Sequence, residues 1–333
     1  MNIITRYQEP WRHFHTWKHI LDIKNCIYNH PYPEIQSVKE ALNLAAEYHD
    51  AVYKPWGKDN EEESVKLFFK EQSPTTGVGD LVEKIIMATK THDPTGDFAI
   101  DSFLLWDMNV AMGTESEIIQ WENQIFKEFQ YIPLNKYIPA RTKVISIIYD
   151  KIQALFDTFV GLPGHNSELV DEKRDFALSY LEQKPYKIGI YPGSFNPFHT
   201  GHMSVLTQAE EIFDKVIIAQ GINPDKEAPD NPIPNINREV VEYTSLVTEL
   251  FHYDKNIEYF MVRGLRNEHD MLAEENLRKT IHDINPQIRF TYFCCDPAVE
   301  HVSSSMIRGL IKFDENAADR YLITGYNWEP REE

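Results

Sequence analysis

The sequence contains few cysteines and no long apolar run. Its three cysteines, Cys26, Cys294 and Cys295, form no CxxC pair of the kind that holds a metal, and core packing explains the adjacent Cys294 and Cys295 better than a disulfide does. No apolar segment is long enough to span a bilayer, and the first residues lack the basic and apolar regions of a signal peptide. We therefore expect a cytoplasmic protein with no membrane partner.

Basic residues are also scarce. Lysine and arginine number 33 against 52 aspartates and glutamates, so the formal net charge is −19. Nucleic-acid binding needs clustered basic side chains that neutralise phosphates, so the charge balance argues against a nucleic-acid polymer as partner and allows a small phosphorylated metabolite. Apolar residues make up 42% of the 333 residues, and this length predicts two domains with separate cores.

The apolar periodicity changes near residue 184. Before it, apolar residues recur at three- and four-residue intervals, which predicts helices over 37–48, 61–70, 80–91, 118–129, 141–156 and 168–183. After it, short β-rich runs at 187–191, 215–220, 257–262 and 289–294 alternate with helices predicted over 201–213, 238–251, 270–283 and 304–313. We expect an all-α domain at residues 1–183 and an α/β, Rossmann-like domain with a doubly wound parallel sheet at residues 184–333.

The string Tyr191-Pro-Gly-Ser-Phe-Asn-Pro-Phe-His-Thr-Gly-His202 stands where the first strand of the second domain passes into its first helix. Gly193 and Gly201 allow the backbone to approach phosphates closely, and the N–H groups at a helix start favour anions. His199 and His202 lie three residues apart, so both imidazoles can stabilise charge on a transferring phosphoryl group. The alternative is that two histidines cap this helix by chance.

Two later strings also fit a phosphate site. Val262-Arg-Gly-Leu-Arg266 ends a strand and is followed by Asp270 and Glu274, and arginines in that position suit bidentate contacts to phosphate. In His301-Val-Ser-Ser-Ser-Met-Ile-Arg308, hydroxyls at a helix N-terminus can hold the outer phosphates of a triphosphate. Each string alone is weak evidence, whereas their order at successive strand–helix junctions indicates a nucleotide site.

Together these strings resemble the HxGH nucleotidylyltransferase superfamily, and within it the phosphopantetheine adenylyltransferases. The resemblance implies a homo-oligomer that transfers an adenylyl group from ATP, with Mg²⁺, to a small phosphorylated acceptor such as pantetheine phosphate and releases pyrophosphate. It implies catalytic roles for His199, His202, Lys226 and Arg263. It assigns nucleotide binding to Gly193, Ser194, Phe195, Gly201, Arg266, Glu274, Ser303, Ser304, Ser305 and Arg308.

Two departures from that family leave the acceptor and the nucleotide open. His199 stands where phosphopantetheine adenylyltransferases usually carry threonine, and histidine there is more typical of nicotinamide mononucleotide adenylyltransferases and of cytidylyltransferases. The segment from Lys226 to Arg263 is also short, because the helix and strand predicted in it leave no room for the further strand and acceptor loop of the resembled fold. A nicotinamide mononucleotide adenylyltransferase or a cytidylyltransferase is therefore the alternative.

The first domain, which is predicted to be helical, carries groups of histidine and aspartate at 12–19, at His49-Asp50, at His92-Asp93 and at Asp107. Such groups, brought together inside a helical bundle, make a metal site, and imidazole with carboxylate suits Mn, Mg, Fe or Zn. A bound metal would lower the pKa of water for attack on phosphorus. For any one of these histidines, an ordinary core or surface role is the alternative.

The strings 7–15 (YQEPWRHFH) and 47–53 (EYHDAVY) resemble the HD superfamily, and more narrowly its predicted metal-dependent phosphohydrolases. The resemblance implies metal ligation by His15, His49, Asp50 and Asp107, with His19 and His92 near the site or on a second metal. It places Arg12, Asn60 and Glu61 around the site as substrate-binding or supporting groups. The chain is thus expected to be bifunctional. The alternative is a transferase whose HD half is a regulatory module that senses a nucleotide.

Overall fold

The structure is a computed structural model, which describes residues 2–30, 35–158, 167–222, 233–252 and 254–325. The chain divides into two compact units. One comprises Met1–Phe129 and Leu134–Gln183, and the other comprises Gln130–Pro133 and Lys184–Glu333. Among the described residues, no helix combines the length and the apolar character needed to cross a bilayer.

The first unit consists of helices, as its apolar periodicity predicts, and its described residues include no strand. Its α-helices are α1 (Ile3–Arg6), α2 (Trp17–Asn29), α3 (Gln36–Tyr48), α4 (Asn60–Glu71), α5 (Thr76–Thr89), α6 (Phe98–Asp107), α7 (Glu115–Glu128), α8 (Leu134–Thr158) and α9 (Ser167–Gln183). A 3-10 helix at Asn109–Met112 connects α6 to α7.

The core of the first unit determines which helix ends meet. Helix α3 buries the small side chains Ala41, Ala45 and Ala46, which allow it to pack closely on α5. Helix α2 buries Ile20 and Ile23 on the side that faces this core. Because α2, α3 and α6 pack against one another, the start of α2 and the ends of α3 and α6 come together in the interior of the unit.

The second unit is a five-stranded parallel sheet with helices on both faces. Strands β1 (Tyr186–Gly193), β2 (Lys215–Gly221), β3 (Val240–Tyr243), β4 (Ile257–Leu265) and β5 (Arg289–Cys294) lie in the order β3-β2-β1-β4-β5. The helices are α10 (Thr200–Glu210), α11 (Glu268–Ile284) and α12 (Ser304–Ile311), with 3-10 helices at Val247–Leu250 and Glu315–Ala317. This order is that of a Rossmann-like sheet, which confirms the predicted fold class of this half.

Strand β1 occupies the centre of the sheet and defines its switch point. Ile190 of β1 lies opposite Ile217 of β2 on one side and Met261 of β4 on the other. Phe213 belongs to the apolar core on one face of the sheet and Ile281 to the core on the other face. The chain leaves β1 toward β2 and returns to the opposite side with β4. The carboxyl ends of β1 and β4 therefore flank the crevice in which such sheets bind ligands.

The helix predicted over 238–251 is wrong. This segment forms β3, which pairs in parallel with β2, and then the 3-10 helix Val247–Leu250. The apolar spacing of Val240, Val241 and Val247 is compatible with a helix, but β-branched side chains fit a pleated sheet better and the edge of β2 was available. The further strand of the resembled fold is therefore present, and the short segment from Lys226 to Arg263 accommodates it.

Candidate functional sites

A cleft of about 350 Å³ opens in the second unit at the carboxyl ends of β1 and β4, where the starts of α10 and α12 meet. Most residues predicted for the transferase site line this cleft, namely Gly193, Phe195, His199, Gly201, His202, Arg263, Arg266, Glu274, Ser303, Ser304 and Ser305. Ser194 and Arg308 do not line the cleft, and Lys226 lies outside the described residues.

The turn between β1 and α10 depends on two glycines. Phe195 has a φ of 47°, in the left-handed region, and its ring is buried. A Cβ atom on Gly193 would lie 2.8 Å from the Phe195 ring, and a Cβ atom on Gly201 would lie 3.0 Å from the His199 ring. Glycine at both positions lets the two rings pack into the turn, so the backbone of the turn stays close to the cleft.

The two histidines of the motif form a stacked pair at the start of α10. Their ring centroids are 3.7 Å apart and their planes differ by 24°. The N–H of Gly201 donates to His199 Nδ1 at 3.1 Å, and the N–H of His199 donates to His202 Nδ1 at 3.3 Å. Since Nδ1 is the acceptor in both rings, the proton of each neutral imidazole lies on Nε2, which is then a donor.

Burial keeps both imidazoles uncharged. Burial, together with the Arg266 guanidinium, lowers the pKa of His199 to about 4. Burial, His199 and Arg266 hold the pKa of His202 well below its ordinary value. At neutral pH the site therefore presents two neutral Nε2–H donors rather than two cations.

The two arginines of the Arg-Gly-Leu-Arg segment are each held by a carboxylate of α11. Arg263 donates from Nε to Glu274 Oε2 at 2.7 Å and from an Nη atom to the carbonyl of Pro192 at 3.1 Å. Arg266 donates from Nε to Asp270 Oδ2 at 2.9 Å and from an Nη atom to Asp270 Oδ1 at 3.2 Å. Glu274 was predicted to bind nucleotide, and in the structure it orients Arg263.

The three serines sit at the first turn of α12. Ser303 caps the helix by accepting the N–H of Met306 at 3.2 Å, and the hydroxyl of Ser304 donates to the carbonyl of Pro197 at 3.1 Å. Arg308 donates to Ser305 Oγ and to the carbonyl of Asn196. These contacts attach α12 to the turn that precedes α10, so the two helix starts keep a fixed separation.

The cleft also contains residues that the sequence analysis did not assign to it, namely Tyr191, Pro192, Val205, Gly264, Asp270 and Cys295. Tyr191 and Gly264 lie near the ends of β1 and β4, and Cys295 directly follows β5. The rule that parallel sheets bind ligands at the carboxyl ends of their strands could have found these three. Asp270 lies in the first turn of α11, four residues after Arg266, and forms an ion pair with it at 2.9 Å.

A parallel sheet in this order, with two helix starts, a neutral histidine pair and two arginines at its switch point, defines a nucleotidyltransferase. Residues 190–310 match the family described as cytidylyltransferase-like. The chain belongs to this family through its second unit.

Several curated relatives of the second unit are named phosphopantetheine adenylyltransferase. The protein of Neisseria meningitidis serogroup C is 32% identical, over 37% of this chain and 78% of its own length. That of Mycoplasma capricolum is 33% identical, over 37% of this chain and 94% of its own length. That of Cytophaga hutchinsonii is 34% identical, over 38% of this chain and 91% of its own length. The similarity covers the second unit and leaves the first unit outside it.

A separate cleft, of about 490 Å³, lies within the first unit and is lined by histidines and aspartates. His19 of α2, His49 after α3 and Asp107 of α6 offer ligand atoms that all lie within 4.8 Å of one another. His19 Nε2 is 2.8 Å from Asp107 Oδ1, and His92 Nε2 is 2.8 Å from Asp107 Oδ2. Imidazole together with carboxylate is a donor set that fits Mn, Fe or Zn.

The orientation of His49 supports a metal-binding role. Its Nδ1–H donates to the carbonyl of Ala46 at 3.1 Å, which fixes the ring and leaves Nε2 as the ligand atom. This buried Nε2 lies 3.1 Å from Asp50 Oδ2 and 3.4 Å from Asp107 Oδ1 without the alignment of a hydrogen bond. Burial opposes a charged ring, but Asp50 and Asp107 outweigh it and raise the pKa of His49 well above its usual value. A cation held between these groups would satisfy all three.

Two of the residues predicted as ligands lie beside the cluster of three. Asp50 Oδ2 is 4.0 Å from His19 Nε2, and although burial opposes ionisation, His49 and His15 hold the pKa of Asp50 below its usual value. His15 lines the cleft, and its Nδ1 is 2.6 Å from the buried Glu128. The sequence analysis did not consider Glu128, although its position seven residues after Trp121 places it on the buried stripe of α7, where a carboxylate needs partners.

Arg12, Asn60 and Glu61 surround this cleft in different ways. Arg12 is buried behind it and donates to the backbone carbonyls of His15 and Asp50 at 3.0 and 2.9 Å. Asn60 and Glu61 line the cleft at the start of α4, and Asn60 bonds the backbone of the preceding loop. Burial raises the pKa of Glu61. Arg12 thus supports the segments that carry the predicted ligands, while Glu61 faces the space a substrate would occupy.

Proposed function

We propose that the second unit transfers an adenylyl group from ATP, bound with Mg²⁺, to pantetheine phosphate or a closely similar acceptor, and releases pyrophosphate. The observation that carries the proposal is the convergence of two helix starts, a neutral histidine pair and two arginines on one cleft. The names of the relatives supply the acceptor. Because β3 is present, a missing strand no longer argues against this acceptor.

The histidine pair stabilises the charge that develops during transfer. An acceptor phosphate oxygen attacks the α-phosphorus in line, and the bond to the bridging oxygen breaks as pyrophosphate leaves. His199 and His202 donate from Nε2 to the phosphoryl oxygens on which charge grows, and as neutral donors they need to transfer no proton. Stacking and backbone bonds hold both rings in place before the substrate binds, so little reorganisation accompanies the reaction.

The arginines and α12 bind the triphosphate. Phosphate oxygens compete with Glu274 and Asp270 for the guanidinium N–H groups of Arg263 and Arg266, and a polyanion wins that competition because it engages both at once. The N–H groups at the start of α12 and the serine hydroxyls there receive the β- and γ-phosphates. Mg²⁺ bound with the triphosphate would offset part of its charge. The family resemblance implies a further role at the transferring phosphate for Lys226, which lies outside the described residues.

A pyrophosphate-release assay tests this function. ATP and CTP are each combined with pantetheine phosphate, nicotinamide mononucleotide and a polyol phosphate, and we expect the highest kcat/KM for ATP with pantetheine phosphate. His202→Ala should lower kcat by about 10²- to 10³-fold, because it removes a donor to the transition state. His252→Ala, at an exposed histidine of the same unit, is the matched control. If another pair of nucleotide and acceptor is preferred, the acceptor or the nucleotide is reassigned. If no pair releases pyrophosphate, the transferase function is contradicted.

We propose a second function for the first unit, a metal-dependent phosphohydrolase of HD type, so that residues 1–183 and 184–333 are two catalytic domains. The geometry of His49 carries this proposal, since its buried Nε2 faces two carboxylates without a hydrogen bond. His19, His49 and Asp107 would hold the metal, with Asp50 beside them. The metal would supply a water of lowered pKa for attack on phosphorus.

Metal binding and hydrolysis are tested separately. Mn²⁺ should raise the temperature of thermal unfolding of the full chain, and this rise should vanish in His49→Ala and Asp107→Asn but persist in Asp80→Asn, at an exposed aspartate of α5. Hydrolysis of the transferase product to AMP and the acceptor phosphate, and release of inorganic phosphate from phosphate monoesters, should both be lost in the same two variants. If Mn²⁺ or a nucleotide binds to the first unit and changes only the rate of transfer, the unit is regulatory instead.

A further inference from the structure

Helix α8 carries apolar side chains outside the stripe that it buries in the core of the first unit. Its buried side consists of Tyr137, Arg141, Ile145, Tyr149, Ile152 and Leu155, which follow the spacing of one complete helical stripe. A second apolar row, Val144, Ile147 and Ile148, repeats the three- and four-residue spacing on another side. Val144 is 41% exposed and Ile147 is 52% exposed. Apolar side chains aligned in this way on an exposed helix face indicate a binding surface.

The second row of α8 lines the same cleft as the metal cluster. Trp121 and Ile125 of α7, both largely buried, add further apolar surface to that cleft. The cluster of His19, His49 and Asp107 also lines it. One cleft of about 490 Å³ thus joins a polar part that fits a metal and phosphate to an apolar part several side chains wide. Ligand sites with this division bind molecules that have a polar end and an apolar end.

The charges of the cleft favour a single phosphate group. Its basic side chains among the described residues each have an acidic partner, in the pairs Lys90 with Glu62, Arg141 with Glu122, and Lys151 with Asp93. The same cleft contains the carboxylates of Asp50, Glu61 and Asp107. A triphosphate would add four further negative charges to this environment, whereas a monoester brings two that a divalent metal offsets.

We propose that this cleft binds phosphate monoesters of apolar alcohols, with the phosphate at the metal cluster and the alcohol part against Val144, Ile147, Ile148 and Trp121. The inference rests on the proposed hydrolase function and names its substrate class. In the reaction a water oxygen bonds to phosphorus, the ester P–O bond breaks, and the leaving alkoxide takes up the proton that the water loses. The products are the free alcohol and inorganic phosphate.

The first experiment compares two esters that differ only in their apolar part. The full chain with Mn²⁺ is assayed on 2-phenylethyl phosphate and on ethyl phosphate, which have similar alkyl leaving groups. We expect the KM for the phenylethyl ester to be lower than that for ethyl phosphate by a factor of about ten or more, which is the factor that burial of an apolar ring typically supplies. Equal KM values for the two esters would overturn the proposal while leaving the hydrolase function intact.

The second experiment uses variants. Ile147→Ser and Val144→Ser alter exposed side chains, so the fold should tolerate them, and each should raise the KM for 2-phenylethyl phosphate about fivefold while kcat and the KM for ethyl phosphate change little. The control is Leu21→Ser on α2. Leu21 is 51% exposed, a fraction similar to that of Ile147, and it does not line the cleft. An equal effect of Leu21→Ser, or no effect of either α8 variant, contradicts the assignment.

The third measurement does not depend on hydrolysis. Calorimetric titration with 2-phenylethylphosphonate and ethylphosphonate, in the presence of Mn²⁺, reports binding of ligands that cannot be hydrolysed. If phenylethylphosphonate binds about tenfold more tightly and Ile147→Ser abolishes the difference, the site stands even if no ester is hydrolysed. If the two phosphonates bind alike, and Ile147→Ser instead changes the sedimentation of the chain, the α8 row is a contact between copies and the proposal fails.

Discussion

Nδ1 of His15 and Oε2 of Glu128 lie 2.6 Å apart in the interior of the first unit. The other carboxylate oxygen, Oε1, accepts the backbone N–H groups of His13, Phe14 and His15 at 2.7, 2.7 and 2.9 Å. Tyr53 donates to Oε2 at 2.7 Å. Burial opposes the charge on Glu128, but His15 and the hydrogen bonds outweigh it and lower the pKa of the carboxyl to about 2. One buried side chain therefore fixes both the turn before α2 and the ring of His15.

Removal of this carboxylate should destabilise the first unit. Glu128→Ala leaves three backbone donors, an imidazole and a phenol without their acceptor, and we expect the free energy of unfolding to fall by about 3 kcal/mol or more. Glu128→Gln keeps an acceptor oxygen for the turn and should cost about half as much. Urea unfolding followed by circular dichroism measures both values. The control is Glu63→Gln, at a residue of α4 whose side chain is 42% exposed. A similar small loss in all three variants would contradict the network.

The imidazole of His199 should titrate far below the ordinary range. A histidine in the unfolded chain has a pKa of about 6.5, whereas His199 in the folded chain has a pKa of about 4, so stability is lost as the pH falls from the first value toward the second. We expect NMR titration to show His199 and His202 neutral at pH 6, and addition of ATP to raise both pKa values. An apparent pKa near 6.5 for either ring in the free protein would contradict this.

Arg263 should not be replaceable by lysine. Its guanidinium bonds Glu274 and the carbonyl of Pro192 together, a geometry that the single ammonium group of lysine cannot reproduce. We expect Arg263→Lys to lower kcat/KM for adenylyl transfer by about 10²-fold. Arg289→Lys, at an exposed arginine of β5 that pairs with Glu258, is the control and should leave the rate unchanged. Equal rates for the two variants would show that Arg263 takes no part in the reaction.

Alanine substitution at two glycines of the second unit should change the free energy of unfolding in opposite directions. The Cβ of Gly193→Ala would lie 2.8 Å from the Phe195 ring, so either the ring or the turn must shift, with an expected loss of about 1–3 kcal/mol. At Gly309 in α12 a Cβ meets nothing within 4 Å, and Gly309→Ala should add about 0.5–1 kcal/mol through helix propensity. Thermal unfolding of both variants checks the pair. A destabilised Gly309→Ala would contradict the helix assignment.

The pattern of apolar residues was sufficient where it is clear along the whole element. Helix α7 and strand β1 appear near their predicted bounds, because one has a clear apolar stripe and the other is a continuous buried run. Helix α6 was not predicted, since Phe98, Phe103 and Leu104 leave it apolar on nearly every side and no period stands out. Strand β3 was taken for a helix, because pairing with β2 is a long-range effect that local spacing does not contain.

For the site residues, the sequence predicted which of them share a cleft but not which atoms they use. The motif residues around His199, Arg263 and Ser303 could be predicted to share a cleft, because each string ends at a strand–helix junction on one edge of a parallel sheet. Which atoms they would use could not be predicted. The choice of Nδ1 as acceptor in both histidines depends on the φ and ψ values of the turn. The choice of Glu128 as the partner of His15 depends on packing between residues 113 positions apart.

The ion pairs of Arg263 with Glu274 and of Arg266 with Asp270 mean that the cleft already holds two built-in counter-ions. A monovalent anion from solution gains little by displacing a tethered carboxylate, because the carboxylate loses almost no entropy when it returns. A molecule with several linked phosphates displaces both carboxylates in one event. We therefore expect the cleft to distinguish anions by their valence and to bind a triphosphate in preference to monovalent anions.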